Sequence, residues 1–347
     1  MFYGKEAAFY GKEGARVHRV GCVAPGRARR RRVATLAASL SLGLLALVGC
    51  RTAPPPARGD ILIDDTGVFP ESVTSTSAGA VITGSMKGIV FRAEPGESVA
   101  RAWIRPDAQN GLSSVFGVLA DERSGTLWVC SVPNPFARAA TPGPVALVSF
   151  DLKSGRHKAS YPFPAPGGVC NDIAVGPDGV VYATDTAGGR ILELARGAQA
   201  LAIFGQDERL KGIDGLAFSE AGVLYINIVT RGVLIRVDVT RDGKMGALHE
   251  LTTGSARLAG PDGFRLISGN RFLLAEGTGG RIDEVTINQD TATVRMLREG
   301  LDSSPGVTRV GNTVYAIEGK IGFLTHPALR GEDPGPFTIH AIPLNRR

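Results

Sequence analysis

Residues 168–194 read GVCNDIAVGPDGVVYATDTAGGRILEL. The stretch predicts a short strand (DIAV), a tight turn (GPDG), a second strand (VVYATD), a Gly-Gly turn and a third strand (RILEL). Gly and Asp stand where turns require positive φ or a side chain that bonds its own backbone. Val, Ile and Tyr fill the strands between them.

The same phrase recurs along the chain, and recurrence outranks any single motif as a signal of fold. The interval from the first apolar residue of strand one to the apolar or aromatic residue of strand two is nine residues from Val73 to Ile82. It is nine again from Val118 to Leu127, Ile173 to Tyr182, Leu216 to Tyr225 and Phe264 to Leu273, and eight from Val307 to Tyr315. Each unit continues into a third strand: GIVFRAE, ALVSFDL, RILEL, GVLIRVDV, GRIDEVTI and IGFL. A fourth follows: SVARAWI, KASYPF, ALAIF, GALHELT, TATVRML and FTIHAIPL.

Six such units predict an all-β fold, a six-bladed β-propeller of four-stranded blades over residues 61–347, whose radial repetition protects the sheet edges. A large sandwich would not require one phrase six times. DILIDD (60–65) is expected to add a strand that helps close the ring. The insertion at 133–144, rich in Pro and Ala, is expected to be a surface loop of blade two.

The residue two before each strand-one anchor is Glu71, Phe116, Asn171, Asp214, Asp262 and Pro305. In a propeller the first strand of every blade lines the central channel, so these positions converge at one mouth. Four oxygen donors there, Glu71, Asn171, Asp214 and Asp262, suit a hard cation. Three carboxylates without one would repel each other. Ca2+ fits best, with Mg2+, Mn2+ or Zn2+ as alternatives. Zinc fits less well, because none of the five His recurs at this position. The bland alternative is turn chemistry, with the Asp of GIDG or GPDG bonding its own backbone. A one-residue shift would replace Asn171 by Asp172.

Three residues past the strand-two anchors stand Ser85, Cys130, Asp185, Ile228, Glu276 and Glu318. Asp185 and Glu276 are the expected second layer around the site or contacts to a substrate. Cys130 and Cys170 fall at the same mouth on neighbouring blades, so a disulfide between them is compatible with the repeat alignment, although spacing alone does not decide it. Other chemistries are not supported. The chain contains no G-x-S-x-G elbow, no H-E-x-x-H and no C-x-x-C, and EGTGGRI (276–282) is a turn with no helix after it.

The motifs PESV (70–73), CNDIAVGPDG (170–179), GIDGLAF (212–218) and AGPDGFRL (259–266) resemble, in order and spacing, those of the regucalcin/gluconolactonase family of six-bladed propellers. The resemblance covers roughly residues 68–320. It implies a divalent cation, often calcium, at the channel mouth, and hydrolysis of sugar lactones or related esters. By position, Glu71, Asn171, Asp214 and Asp262 would be the metal ligands. Asp262 would be the catalytic base and Asn171 the substrate-orienting amide. The family commonly has Asn where this chain has Asp214, which strengthens cation binding and weakens the Lewis acid. A non-catalytic propeller that binds a small molecule or a protein beside a structural cation is the alternative of a different class.

The charge balance points to export rather than to nucleic acid. Residues 1–49 hold nine Lys or Arg and two Glu. Removing them from the chain's 39 basic and 33 acidic residues leaves 30 and 31, a net of −1 for residues 50–347. Arg27 to Arg32 precede an apolar run from Val33 to Val48, the pattern of a secretory signal over residues 1–49. Leu-Val-Gly-Cys (47–50) resembles the bacterial lipobox. That implies lipidation of Cys50 and a cell-envelope lipoprotein facing the periplasm; residues 50–60 read as a Pro-rich tether, and a monomer is expected.

Overall fold

The structure is a computed structural model that describes residues 59–137 and 143–344. The expected signal peptide, Cys50 and nearly all of the expected tether lie outside the described residues.

Five consecutive four-stranded antiparallel units occupy 73–104, 114–162, 170–206, 213–250 and 261–298. The sixth is built from Val307–Val310, Thr313–Ile317 and Thr338–Pro343, with Ile61–Ile63 as its outermost strand. The innermost strands are Val73–Ser75, Ser114–Asp121, Cys170–Val175, Ile213–Phe218, Pro261–Ser268 and Val307–Val310. Each lies against the next, and the last returns to the first, so the six blades close a ring.

The closing strand joins the two ends of the ring. Ile61 pairs antiparallel with Ile339 in blade six, while Leu62 pairs parallel with Val99 in the outer strand of blade one. DILIDD therefore supplies the fourth strand of blade six, and FTIHAIPL supplies the third rather than the fourth. The IGFL segment is a helical turn, Gly322–Thr325, instead of a strand. Lys320 before it has a φ of 49°, which turns the chain out of the sheet. The amides of Thr325 and His326 then bond back to the carbonyls of Ile321 and Gly322. With the outer place already filled by the N-terminal strand, the C-terminal segment needs to supply only three.

The apolar core lies between blades. Six buried clusters are present, each drawn mainly from two neighbouring blades; Ile191 and Phe204 of blade three, for example, pack with Leu216 and Ile226 of blade four. This explains why second strands such as VYATD and LYINI are buried at every residue and do not alternate. Both faces of a mid-blade strand are covered, so a continuous run is the expected pattern.

Candidate metal centre

The channel mouth is shaped by one local device used four times. The pairing of inner strand with second strand skips between Val115 and Val118, Cys170 and Ile173, Ile213 and Leu216, and Pro261 and Phe264. Each skip is a β-bulge that leaves two residues outside the regular ladder, and a bulge re-aims a side chain. The bulged residues are Phe116-Gly117, Asn171-Asp172, Asp214-Gly215 and Asp262-Gly263. The Asp of GIDG is thus part of a bulged strand and not of a turn.

The glycine that follows the mouth residue has a packing reason. A Cβ on Gly117 would lie 2.2 Å from the Asn171 carbonyl oxygen, and one on Gly215 would lie 2.2 Å from that of Asp262. A Cβ on Gly263 would come within 2.7 Å of the Pro305 carbonyl oxygen. Only a residue without a side chain lets the next blade approach so closely. The amides freed by the bulges are caught by polar residues of second strands. Asp172 N donates to Thr184 Oγ1 at 2.9 Å and Gly215 N to Asn227 Oδ1 at 3.1 Å. Asn227 Nδ2 then donates to the Asp262 carbonyl, tying blade four to blade five.

The bulges of blades four and five bring Asp214 and Asp262 to Glu71, which stands two residues before the first strand of blade one. One carboxylate oxygen of each lies within 4.8 Å of the others. Glu71 and Asp214 are buried and Asp262 is half-buried. Asn171 joins them: its Nδ2 donates to Asp214 Oδ2 at 2.9 Å and to Thr186 Oγ1 at 3.1 Å. With both amide protons used, Oδ1 is the atom that Asn171 can offer to a ligand.

Asp172 takes a different part. Arg265 of blade five grips it bidentately, with Nη1 and Nη2 each 2.7 Å from a carboxylate oxygen. Asp172 also accepts the Leu216 amide at 3.3 Å. It therefore links blades three, four and five, while Asn171 faces the carboxylate group.

The electrostatics of the three acids favour a cation. Burial, together with repulsion from Asp214 and Asp172, holds Glu71 well above the usual carboxylate range. Burial and repulsion from Asp214 and Glu71 do the same to Asp262. Asp214 is pushed up to about 7 by burial and by Asp172. Arg265 offsets only part of this, because Asp172 already holds its guanidinium. Asp214 Oδ1 is buried with no hydrogen-bond partner. Three carboxylates, one of them with an orphaned buried oxygen, and an amide oxygen suit a hard divalent cation that takes oxygen ligands.

Asp185 and Glu276 are held elsewhere. Asp185 is fully buried, accepts the amides of Val169 and Gly188, and pairs with Arg190. Glu276 is fully buried, accepts the Ala259 amide, and pairs with Arg281. In both blades the arginine that follows five residues after the acid pairs with it, shared in blade five with Asp283, so these buried carboxylates brace the turns and do not face the pocket. Cys130 and Cys170 are joined in a disulfide with a Cα separation of 5.2 Å, connecting blade two to blade three. Thr184, Asn227 and Arg265 are the site residues that sequence reasoning missed. The signal for the first two was a polar residue inside an otherwise apolar strand.

A pocket of about 400 Å³ opens beside the carboxylates, and Glu71 and Asp262 line it. Phe69, two residues before Glu71, has a φ of 44°, unusual for a bulky residue. Its ring packs edge-on against Phe337 at 5.2 Å, which helps hold that conformation.

Comparison with protein-family models and with curated proteins finds no match. Solved structures do share the fold. Regucalcin from Agrobacterium tumefaciens, described as a calcium-binding protein, is 15% identical with a TM-score of 0.58, over 84% of this chain and 96% of that one. A protein described as a candidate gluconolactonase is 15% identical with a TM-score of 0.56, over 85% and 96%. Virginiamycin B lyase from Staphylococcus aureus, crystallised with quinupristin, is 14% identical with a TM-score of 0.55, over 81% and 83%. By its architecture, the chain is a β-propeller of the kind found in regucalcin, gluconolactonase-like proteins and virginiamycin B lyase.

Proposed function

We propose that the chain is a divalent-cation-dependent hydrolase of lactones or related esters, working at the channel mouth with calcium as the preferred ion. The observation that carries this reading is the group of Glu71, Asp214 and Asp262 beside a pocket, with an orphaned carboxylate oxygen among them. The description of the regucalcin neighbour as calcium-binding supports the choice of ion.

Glu71, Asp214, Asp262 and the Asn171 amide oxygen would hold the cation. When bound, the ion supplies positive charge that polarises a substrate carbonyl. Asp262, the most open of the three acids and a lining residue of the pocket, takes a proton from water as the water oxygen bonds to the carbonyl carbon. The acyl–oxygen bond of the ring then breaks, and the proton passes to the departing ring oxygen, giving a hydroxy acid. Asp214 is kept in place by Asn171. The Asp172–Arg265 pair fixes the inner strands of blades three and five relative to each other. Purified protein should hydrolyse members of a lactone and ester panel, lose that activity in EDTA, and lose it again in Asp262→Asn. A calcium-loaded protein inert towards the whole panel would refute the enzyme reading.

A second reading, a binding propeller with a structural cation, is favoured by the extra charge of Asp214 and the apolar Phe116 and Pro305 at the mouth. In that case calcium would raise the melting temperature with no turnover. The Leu-Val-Gly-Cys sequence supports an exported, lipid-anchored site of action. Labelled fatty acid should enter the wild-type protein and not Cys50→Ser.

A further inference from the structure

We propose that the substrate is an uncharged lactone or ester with an apolar body, an aryl ring or a medium alkyl chain, and not a polyhydroxylated sugar lactone. This rests on the hydrolase reading and adds the substrate class. The mouth is divided. Glu71 and Asp262 line one part of the pocket, and Met86, Phe116, Phe136, Val229, Pro305 and Ile321 form its apolar wall. Two of these, Phe116 and Pro305, occupy the same aligned position as the oxygen donors, on the blades that flank Glu71. The polar and apolar parts are therefore set by the same structural position in different blades.

Charge and hydrogen bonding exclude the other classes. Among the described residues, no Lys, Arg or His lines the pocket. An anionic substrate would meet three carboxylates, Glu71, Asp262 and Asp302, with no side-chain cation to balance them. A polyol would bring several hydroxyls against a wall where only Thr278 and Ser303 add polar side chains beyond the three carboxylates. Each hydroxyl left unbonded there is penalised by its lost hydration. An alkyl or aryl group loses nothing and gains burial.

Two wall residues, Phe136 and Ile321, come from segments outside the repeat. Phe136 lies in the insertion between the second and third strands of blade two, as Ile321 lies in that of blade six, and Asn134 Oδ1 accepts the Phe136 backbone amide at 2.9 Å. The loop therefore carries a phenyl ring to the pocket from outside the repeat. The volume of about 400 Å³ lies within the range of small-molecule sites.

The test compares a series of alkyl-substituted lactones of increasing chain length, dihydrocoumarin and gluconolactone on the calcium-loaded protein. Calorimetric binding of the matching alkyl lactams provides a readout independent of turnover. The expected result is that kcat/KM rises about fourfold per added methylene until the pocket is filled, that gluconolactone is slowest, and that lactam affinity climbs in parallel. Phe136→Ser should lower kcat/KM for the longest lactone more than for the shortest. A flat chain-length series, or faster turnover of gluconolactone, overturns this inference and leaves the hydrolase reading intact. Lactams that bind with climbing affinity while no lactone or ester is hydrolysed overturn the hydrolase reading and leave the apolar pocket standing. Neither binding nor turnover overturns both.

Discussion

Asp172 and Arg265 are locked together across the channel by two parallel hydrogen bonds of 2.7 Å, beside three carboxylates that Arg265 is not free to neutralise. The pair keeps one acid in reserve for architecture and leaves the others uncompensated. It also accounts for Asn171 facing the site: its neighbour carries the charge, and that charge is already matched.

Breaking this pair should be costly. Arg265→Met leaves the buried Asp172 without its cation, with only the Leu216 amide still donating to it, and a broken buried pair destabilises by about 3–5 kcal/mol. Asp172→Asn/Arg265→Met should recover part of that loss. Urea denaturation of the single and double variants measures it, and a loss below about 1 kcal/mol in the single variant would contradict the role given to the pair.

The acid group should make the cation-free protein lose stability as pH rises. Glu71, Asp214 and Asp262 are all raised above their ordinary values. In the unfolded chain such groups lose their protons near pH 4. Over the interval above that, the folded state binds more protons than the unfolded one, so stability falls with pH. The contribution is fully present below about pH 4 and is lost as pH rises through about 7, the value for Asp214. Melting in EDTA should decline across this window relative to Asp214→Asn, and saturating calcium should restore what is lost.

Asp214→Asn separates charge from fold. It removes one of three mutually repelling acids, so the cation-free protein should melt higher than wild type. Calcium affinity should fall by about tenfold or more, since charge count among the ligands tunes affinity. Calcium titration calorimetry and melting together report both effects. A variant that binds calcium as tightly as wild type would place the ion elsewhere.

The disulfide between Cys130 and Cys170 closes a loop of 40 residues across two blades. The chain-entropy estimate for such a loop is about 4 kcal/mol. Cys130→Ala/Cys170→Ala should lose up to that amount in denaturant unfolding without changing the affinity for calcium, because neither sulfur belongs to the carboxylate group.

The blade pattern was legible because every blade repeats the same turn chemistry and the same interval between anchors. Glu71, Asp214 and Asp262 were legible because alignment turns three distant residues into one position. Asn171 and Asp172 could not be separated by pattern, since a bulge lifts both out of the ladder. The glycines at 117, 215, 263 and 306 carried that information, as each follows a mouth residue. Arg265 was hidden because its partner lies 93 residues away on another blade. Asp185 and Glu276 stand at the aligned position expected of a second layer or of substrate contacts; Arg190 and Arg281, five residues on, were the sign that they were paired. IGFL was read as a strand because its apolar residues suit one, but a left-handed Lys320 and an already filled outer position exclude it.

The most direct test is a crystal structure of the protein grown with calcium, or with manganese to give an anomalous signal. The account predicts one ion coordinated by Glu71, Asp214, Asp262 and the Asn171 amide oxygen, with the Asp172–Arg265 pair intact beside it. An ion bound away from these residues, or a refined cation-free structure under saturating calcium, would contradict it.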